Sequence, residues 1–290
     1  MRLLLVVVSA LASISLVTAP ASADVAAHGC GAPLAPEAVA TILRLADTST
    51  LRSDTPLAQL DDEVDRHRRI TDILAAHRDR RGLFSVGLDT VEFSAVVPLQ
   101  HGTTLRDRVW SPRISLVLLR RYLEAVRAHF SGAPTTAPWT NFFTMAARCE
   151  VSGGRVAMAG YNAHITYDLA YALAEIGTRP EHAPDFFAIV DTIAQSGPQI
   201  VERTKAAYGV DIGPLFRFYF VGEGLDLLVG KGVATGAMLR AADVGYNTIT
   251  FANGLALQDP ALRDAAAAEV FALWQTGEAA METLAYLRGL

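Results

Sequence analysis

The stretch Asn162-Ala163-His164-Ile165-Thr166-Tyr167-Asp168-Leu169 sets an imidazole and a carboxylate one helical turn apart in a segment that is otherwise almost wholly apolar. At helical spacing His164, Asp168, Tyr171 and Glu175 fall within an arc of roughly 60°, and Asn162, two positions before His164, is counted with these polar residues. A buried imidazole or carboxylate costs several kcal/mol unless it is paired, hydrogen-bonded or bound to a metal. The stripe is therefore either a structural network or a site.

Three chemistries suit it. Side chains at i and i+4 lie about 6 Å apart on one face, so His164 and Asp168 could both reach a divalent metal such as zinc at about 2 Å, and zinc lowers the pKa of a bound water to about 7. The spacing is similar to ligand pairs of the all-α zinc phospholipases C and the related single-strand nucleases. Those enzymes need several more ligands, and no second His-x-x-x-Asp occurs among the 7 histidines here; in His182-Ala183-Pro184-Asp185 the spacing is wrong. Glu223 and Asp226, three apart in an apolar segment, are the acidic candidates for further ligand or base, unless they pair with Arg217 or Arg240. Asp243 and Asn247 belong either to the same site or to a network between helices. Alternatively His164 and Asp168 act as a base pair, the carboxylate fixing the tautomer, with Tyr161 and Tyr171 as polar neighbours. The third reading is that the stripe is a structural network that sets helix register. Trp139, Phe142 and Phe143 read as core aromatics.

The elements that position these residues are helical almost throughout. Apolar periodicity predicts helices over about 36–46, 56–80, 84–97, 112–130, 137–149, 155–176, 183–194, 198–208, 214–228, 234–255 and 260–287. Pro112, Pro138, Pro214 and Pro260 sit at first turns, and Gly82, Gly132, Gly177 and Gly209 follow helix ends. The Val and Phe content of 84–97 also fits a pair of short strands. With no linker or repeat, the expectation is all-α: a single-domain multi-helix bundle of about ten helices over 24–290. The basic run Arg66 to Arg81, interleaved with Asp65, Asp72 and Asp79, reads as a solvated helix face.

Ahead of that domain, Arg2, an apolar run from Leu3 to Val17 and Ala21-Ser22-Ala23 form a secretory signal peptide, 1–23. No later stretch reads as apolar for the roughly 18 residues a span needs, so the mature chain is expected to lack a transmembrane segment and to be secreted or extracytoplasmic. The two cysteines, Cys30 and Cys149, are expected to form one disulfide in that compartment. Without the signal peptide the formal charge is 24 minus 30, about −6, from 25 basic residues less Arg2 and 30 acidic ones. That balance and the lack of a basic cluster argue against nucleic acid. Nucleophile-elbow, phosphate-loop, H-E-x-x-H and dinucleotide motifs are absent from the sequence.

Asp79-Arg80-Arg81-Gly82-Leu83-Phe84, Pro138-Trp139-Thr140-Asn141-Phe142-Phe143, the octet at 162–169 and Asp185-Phe186-Phe187 together resemble the landmarks of a bacterial family of domains of unknown function with an N-A-H-I-x-x-D-L signature. The resemblance covers about 79–257. It implies an all-α domain and names no activity. Two functions stay open: a secreted noncatalytic or small-ligand-binding domain whose buried polar stripe fixes helix register, with room for a small or lipid-like molecule between helices, and a metal-dependent hydrolase of an extracytoplasmic phosphoester or ester.

Overall fold

The computed structural model describes residues 30–50, 53–213 and 236–288. The expected signal peptide and the segment holding Arg217, Glu223 and Asp226 lie outside the described residues. Within them the chain is all helix and turn, with no strand. Helix α1 is Pro36–Leu45, α2 is Pro56–Ala76, α3 is Leu83–Val91 and α4 is Val97–His101. Helix α5 follows at Trp110–Ser131, α6 at Ala137–Ala147, α7 at Gly153–Asn162 and α8 at Leu169–Glu175. The last four are α9, Ala183–Gln195; α10, Gly197–Tyr208; α11, Gly236–Ala256; and α12, Arg263–Arg288.

The ends follow local chemistry. Thr55 caps α2 by accepting from the Ala58 N–H at 3.2 Å, and Ser152 caps α7 through the Arg155 N–H at 3.1 Å. Gly132 and Gly209, with φ of 75° and 70°, end α5 and α10 in the left-handed conformation that glycine adopts without strain. Gly82 behaves differently from the expected stop. It lies inside a tight turn, Arg80–Gly82, that leads directly into α3, and a Cβ there would meet the Tyr208 hydroxyl at 2.2 Å.

The stretch with an alternative strand reading is the central helix. It runs without a break from Arg80 to His101, and every residue of α3 is buried. By length and composition it could cross a membrane, contrary to the expectation that no stretch would qualify, but 72% of its apolar window is buried inside the fold. Helices α2, α7 and α10 pack around α3. Contact with α7 is close because large and small residues interlock: Phe84 lies over Gly160, and the Tyr161 hydroxyl lies against Gly87. Phe84, Tyr122, Trp139 and Phe142 form the aromatic centre of the core, as the reading of Trp139, Phe142 and Phe143 anticipates.

Two stretches are wound as π-helix, Glu92–Val96 between α3 and α4 and Ala163–Asp168 between α7 and α8. Their i→i+5 bonding widens the turn and shifts the faces beyond it, an effect that recurs at functional sites.

The Asp79-Arg80-Arg81-Gly82 landmark is a staple. Asp79 accepts from the Arg81 backbone at 3.0 Å and from its Nε at 2.9 Å, while the buried Arg81 guanidinium lies 4.3 Å from the Phe130 ring centre. Arg80 donates through its backbone to the Cys30 carbonyl at 3.1 Å and through its side chain to the Arg148 carbonyl at 2.8 Å. Cys30 and Cys149 are disulfide-bonded across this junction, with Cα atoms 5.4 Å apart. The run from Arg66 to Arg81 is thus not a uniformly solvated face, since Arg81 and His67 are inside.

Candidate functional site

The π-turn at Ala163–Asp168 splits the polar stripe that a regular helix would hold together. Asp168 accepts a 2.7 Å hydrogen bond from Trp139 Nε1 and is buried, which pushes its carboxyl up to about 7 despite that bond. Asn162 donates to the Trp274 carbonyl at 2.9 Å and to Glu278 at 2.8 Å, and it accepts from the Thr166 hydroxyl at 2.7 Å. These two residues hold α6 and α12 against the octet. Tyr171 packs on Tyr167, and half-exposed Glu175 pairs with Arg121 at 2.6 Å. Asn162, Asp168, Tyr171 and Glu175 therefore serve contacts between helices.

His164 turns elsewhere. No hydrogen bond joins it to Asp168; its ring lies 5.2 Å from that of Phe84, and its Nδ1 has no hydrogen-bond partner. Burial, reinforced by the charge of His67, pushes its imidazole down to about 3, so the ring is neutral at ordinary pH.

A second polar group lies across the core. His67 Nδ1 is 2.6 Å from Glu92 Oε2, and His67 Nε2 is 2.8 Å from Ser85 Oγ. Thr71 Oγ1 completes the chain 2.6 Å from Ser85 Oγ. Carboxylate, imidazole and hydroxyl follow the order of a serine-hydrolase triad. Here, however, the hydroxyl is fully buried beside Thr71, and the carboxyl end is the one that lines open space. Burial raises the Glu92 carboxyl, opposed by its contact with His67, and Glu92 Oε1 has no hydrogen-bond partner. The sequence reading did not single out this group. His67 sits among charged residues, and its partners are 25 and 18 positions away. One signal was present: His67 recurs with Leu60, Val64, Thr71 and Leu74 on the buried face of α2.

Both unmet atoms belong to residues that line one cavity of about 340 Å³. Its walls come from α2, α3, α5, α7, α8, α9, α10, α11 and both π-turns, and they are mostly aliphatic, with Leu60, Leu88, Val96, Leu119, Ile165 and Ile189 representative. Glu92, Ser115, Tyr161, His164, Tyr246 and Asn247 are the polar residues on the described lining, which includes no lysine or arginine. Asn247, read from the sequence as site or network, is thus at the cavity. Arg68 and Arg203, neither of them on the cavity lining, both pair with Asp89, at 3.1 and 3.3 Å.

Among the described residues, no group of three or more His, Cys, Asp or Glu side chains is arranged to hold a metal ion. Glu223 and Asp226, the ligands or base that a metal reading of His164 and Asp168 would draw on, lie outside the described residues. His182 sits in a tight turn before α9, stacked 4.8 Å from Trp110, and Asp185 accepts from the backbone N–H groups of Arg106 and Asp107.

Residues 60–230 match the Family of unknown function (DUF5995), to which the chain belongs. Comparison with curated proteins and with solved structures found no match.

Proposed function

We propose that this member of the DUF5995 family is a noncatalytic binding domain that holds a small, mostly apolar molecule between its helices and works outside the cytoplasm. The observation that carries the reading is the aliphatic cavity of about 340 Å³ with Glu92 Oε1 and His164 Nδ1 unmet in its lining residues. Its size falls in the range of small-molecule sites, roughly 300–1,000 Å³, and its mix of apolar wall and few polar points is what such sites share. An apolar guest would remove the aliphatic wall of the cavity from water, the favourable term in such binding. The buried position of the Ser85 hydroxyl favours binding over acyl transfer. Work outside the cytoplasm is supported by the apolar N-terminal run with its Ala21-Ser22-Ala23 motif and by the Cys30–Cys149 pair.

The test is titration with N-phenyl-1-naphthylamine, a neutral probe that fluoresces in apolar surroundings. Saturable enhancement in the wild type, lost in a folded Ile189→Trp variant that fills the cavity, supports the reading. Equal response from both proteins, or none from the wild type, refutes it.

A further inference from the structure

The loop that joins α4 to α5 presents one apolar side chain among arginines, and we infer that it docks the protein on an anionic phospholipid surface. The loop is held from within. Leu105 is buried in the apolar cluster that includes Trp110, Ile114 and Phe186. Asp185, itself buried in the first turn of α9, accepts from the backbone N–H of Arg106 at 2.9 Å and of Asp107 at 2.7 Å. Asp107 accepts in turn from the N–H groups of Val109 and Trp110, at 3.0 and 2.8 Å, so the one carboxylate of the loop is engaged by its own backbone. Trp110 is anchored by its Nε1, which donates to the Thr178 hydroxyl at 3.1 Å, and by its stacking on His182.

What this frame holds outward is Val109, 63% exposed, with Arg106 and Arg108 exposed before it and Arg113 exposed one helical turn after it. Arg108 donates to the Gly102 carbonyl, and among the described residues no carboxylate pairs with any of the three guanidinium groups. Carboxylates in the adjoining turns have other partners: Glu181 pairs with Arg179 at 2.7 Å and Asp61 with His101 at 3.0 Å. Residues 102–113 thus carry three arginines against one aspartate, in a chain whose formal charge is −5. An anionic surface attracts this loop and repels the remainder, which orients the molecule.

A bilayer fits this surface better than an acidic protein does. Guanidinium groups pair with phosphate in a bidentate manner, while their aliphatic stems and an apolar neighbour reach the acyl boundary. A stable protein interface needs about 800 Å² and 20–30 residues a side, more than a loop tip offers. At a lipid surface each basic or apolar residue contributes without such a minimum. Helices α5 and α9, between which the loop is held, both line the cavity, but the docking follows from the loop alone.

The experiment is flotation of the purified protein with vesicles of phosphatidylcholine alone or mixed equally with phosphatidylglycerol, at low and high salt, beside retention on immobilised polyglutamate. Wild type is compared with Arg106→Ser/Arg113→Ser, with Val109→Ser, and with Arg44→Ser/Arg69→Ser, which removes two exposed arginines elsewhere. None of these side chains makes a hydrogen bond within the described residues, so every variant is expected to keep the wild-type helical content. The wild type should float with the anionic vesicles, about tenfold or more in preference to phosphatidylcholine, and be released by salt. At roughly fivefold per arginine, the loop pair should weaken this on the order of twentyfold, and the control pair by less than about threefold. Val109→Ser should weaken vesicle binding about fivefold and leave polyglutamate unaffected. Absence of wild-type flotation with anionic vesicles, or a control pair as damaging as the loop pair, overturns the inference. Tighter retention on polyglutamate than on vesicles, with Val109→Ser without effect on either, overturns it in favour of an acidic protein partner.

Discussion

His67 Nδ1 lies 2.6 Å from Oε2 of Glu92, and the other oxygen of that carboxyl has no protein partner. One contact thus fixes a buried acid on a residue that lines the cavity. His67→Ala would leave a buried carboxyl without its partner and is expected to cost about 3–5 kcal/mol in urea unfolding. Adding Glu92→Leu should recover part of that loss. Strict additivity, with a coupling below about 0.5 kcal/mol, would show that the two side chains are not energetically linked.

Asp168 predicts an unusual pH dependence. Its folded-state carboxyl titrates near 7, above the ordinary 3.8, because burial disfavours its charge. The folded chain therefore holds this proton more tightly than the unfolded chain, so the stabilising contribution is full below pH 3.8 and is lost as pH rises through 7. Asp168→Asn keeps an acceptor for Trp139 and removes the ionisation, so it should stabilise the protein at pH 8 by a few kcal/mol, up to about 4, and by close to nothing at pH 4. Thermal denaturation of both proteins across that range is the check; a variant less stable than wild type at pH 8 contradicts it. His164 acts in the opposite sense, its stabilising contribution being lost as pH falls from 6.5 through about 3.

Gly87→Ala should destabilise the protein although alanine is the better helix former by about 1 kcal/mol. A Cβ at that position would collide with the Tyr161 hydroxyl. Tyr161→Phe in the same chain removes that oxygen and should restore part of the melting temperature. If Gly87→Ala alone raises the melting temperature, the packing of α3 on α7 is not as described.

Much of this architecture was legible in the sequence. Apolar periodicity and the prolines and glycines placed α5, α6, α9 and α10 within a few residues of their observed ends and read α7 and α8 as one continuous helix, and the two cysteines implied their bond. The octet at 162–169 was correctly marked as the place where polar groups enter the core. What it holds could not be read there, because helical spacing puts His164 and Asp168 on one stripe but does not say which helices pack against each, and Asp168 meets Trp139 whereas His164 lines the cavity. Glu92 and His67 escaped for another reason. Each looks like an ordinary charged-helix residue until α2 and α3 are packed together, and single-sequence spacing carries no information about that packing.

Removing the disulfide tests the junction at Asp79–Gly82. Cys30 and Cys149 are separated by 119 positions, and closing a loop of that size contributes about 4–5 kcal/mol on the chain-entropy account. Cys30→Ser with Cys149→Ser should lose an amount of this order in urea unfolding, while the Arg80 bonds keep the native helical content. A loss under about 1 kcal/mol would mean that the unfolded chain is already constrained there.

The most direct test of a cavity built to be filled is native mass spectrometry of the purified protein after equilibration with a total lipid extract, beside Ile189→Trp. The account predicts one noncovalent adduct per wild-type chain, released as a small neutral molecule on activation and absent from the folded variant. A wild-type chain that carries nothing, or adducts equal in both proteins, would contradict it.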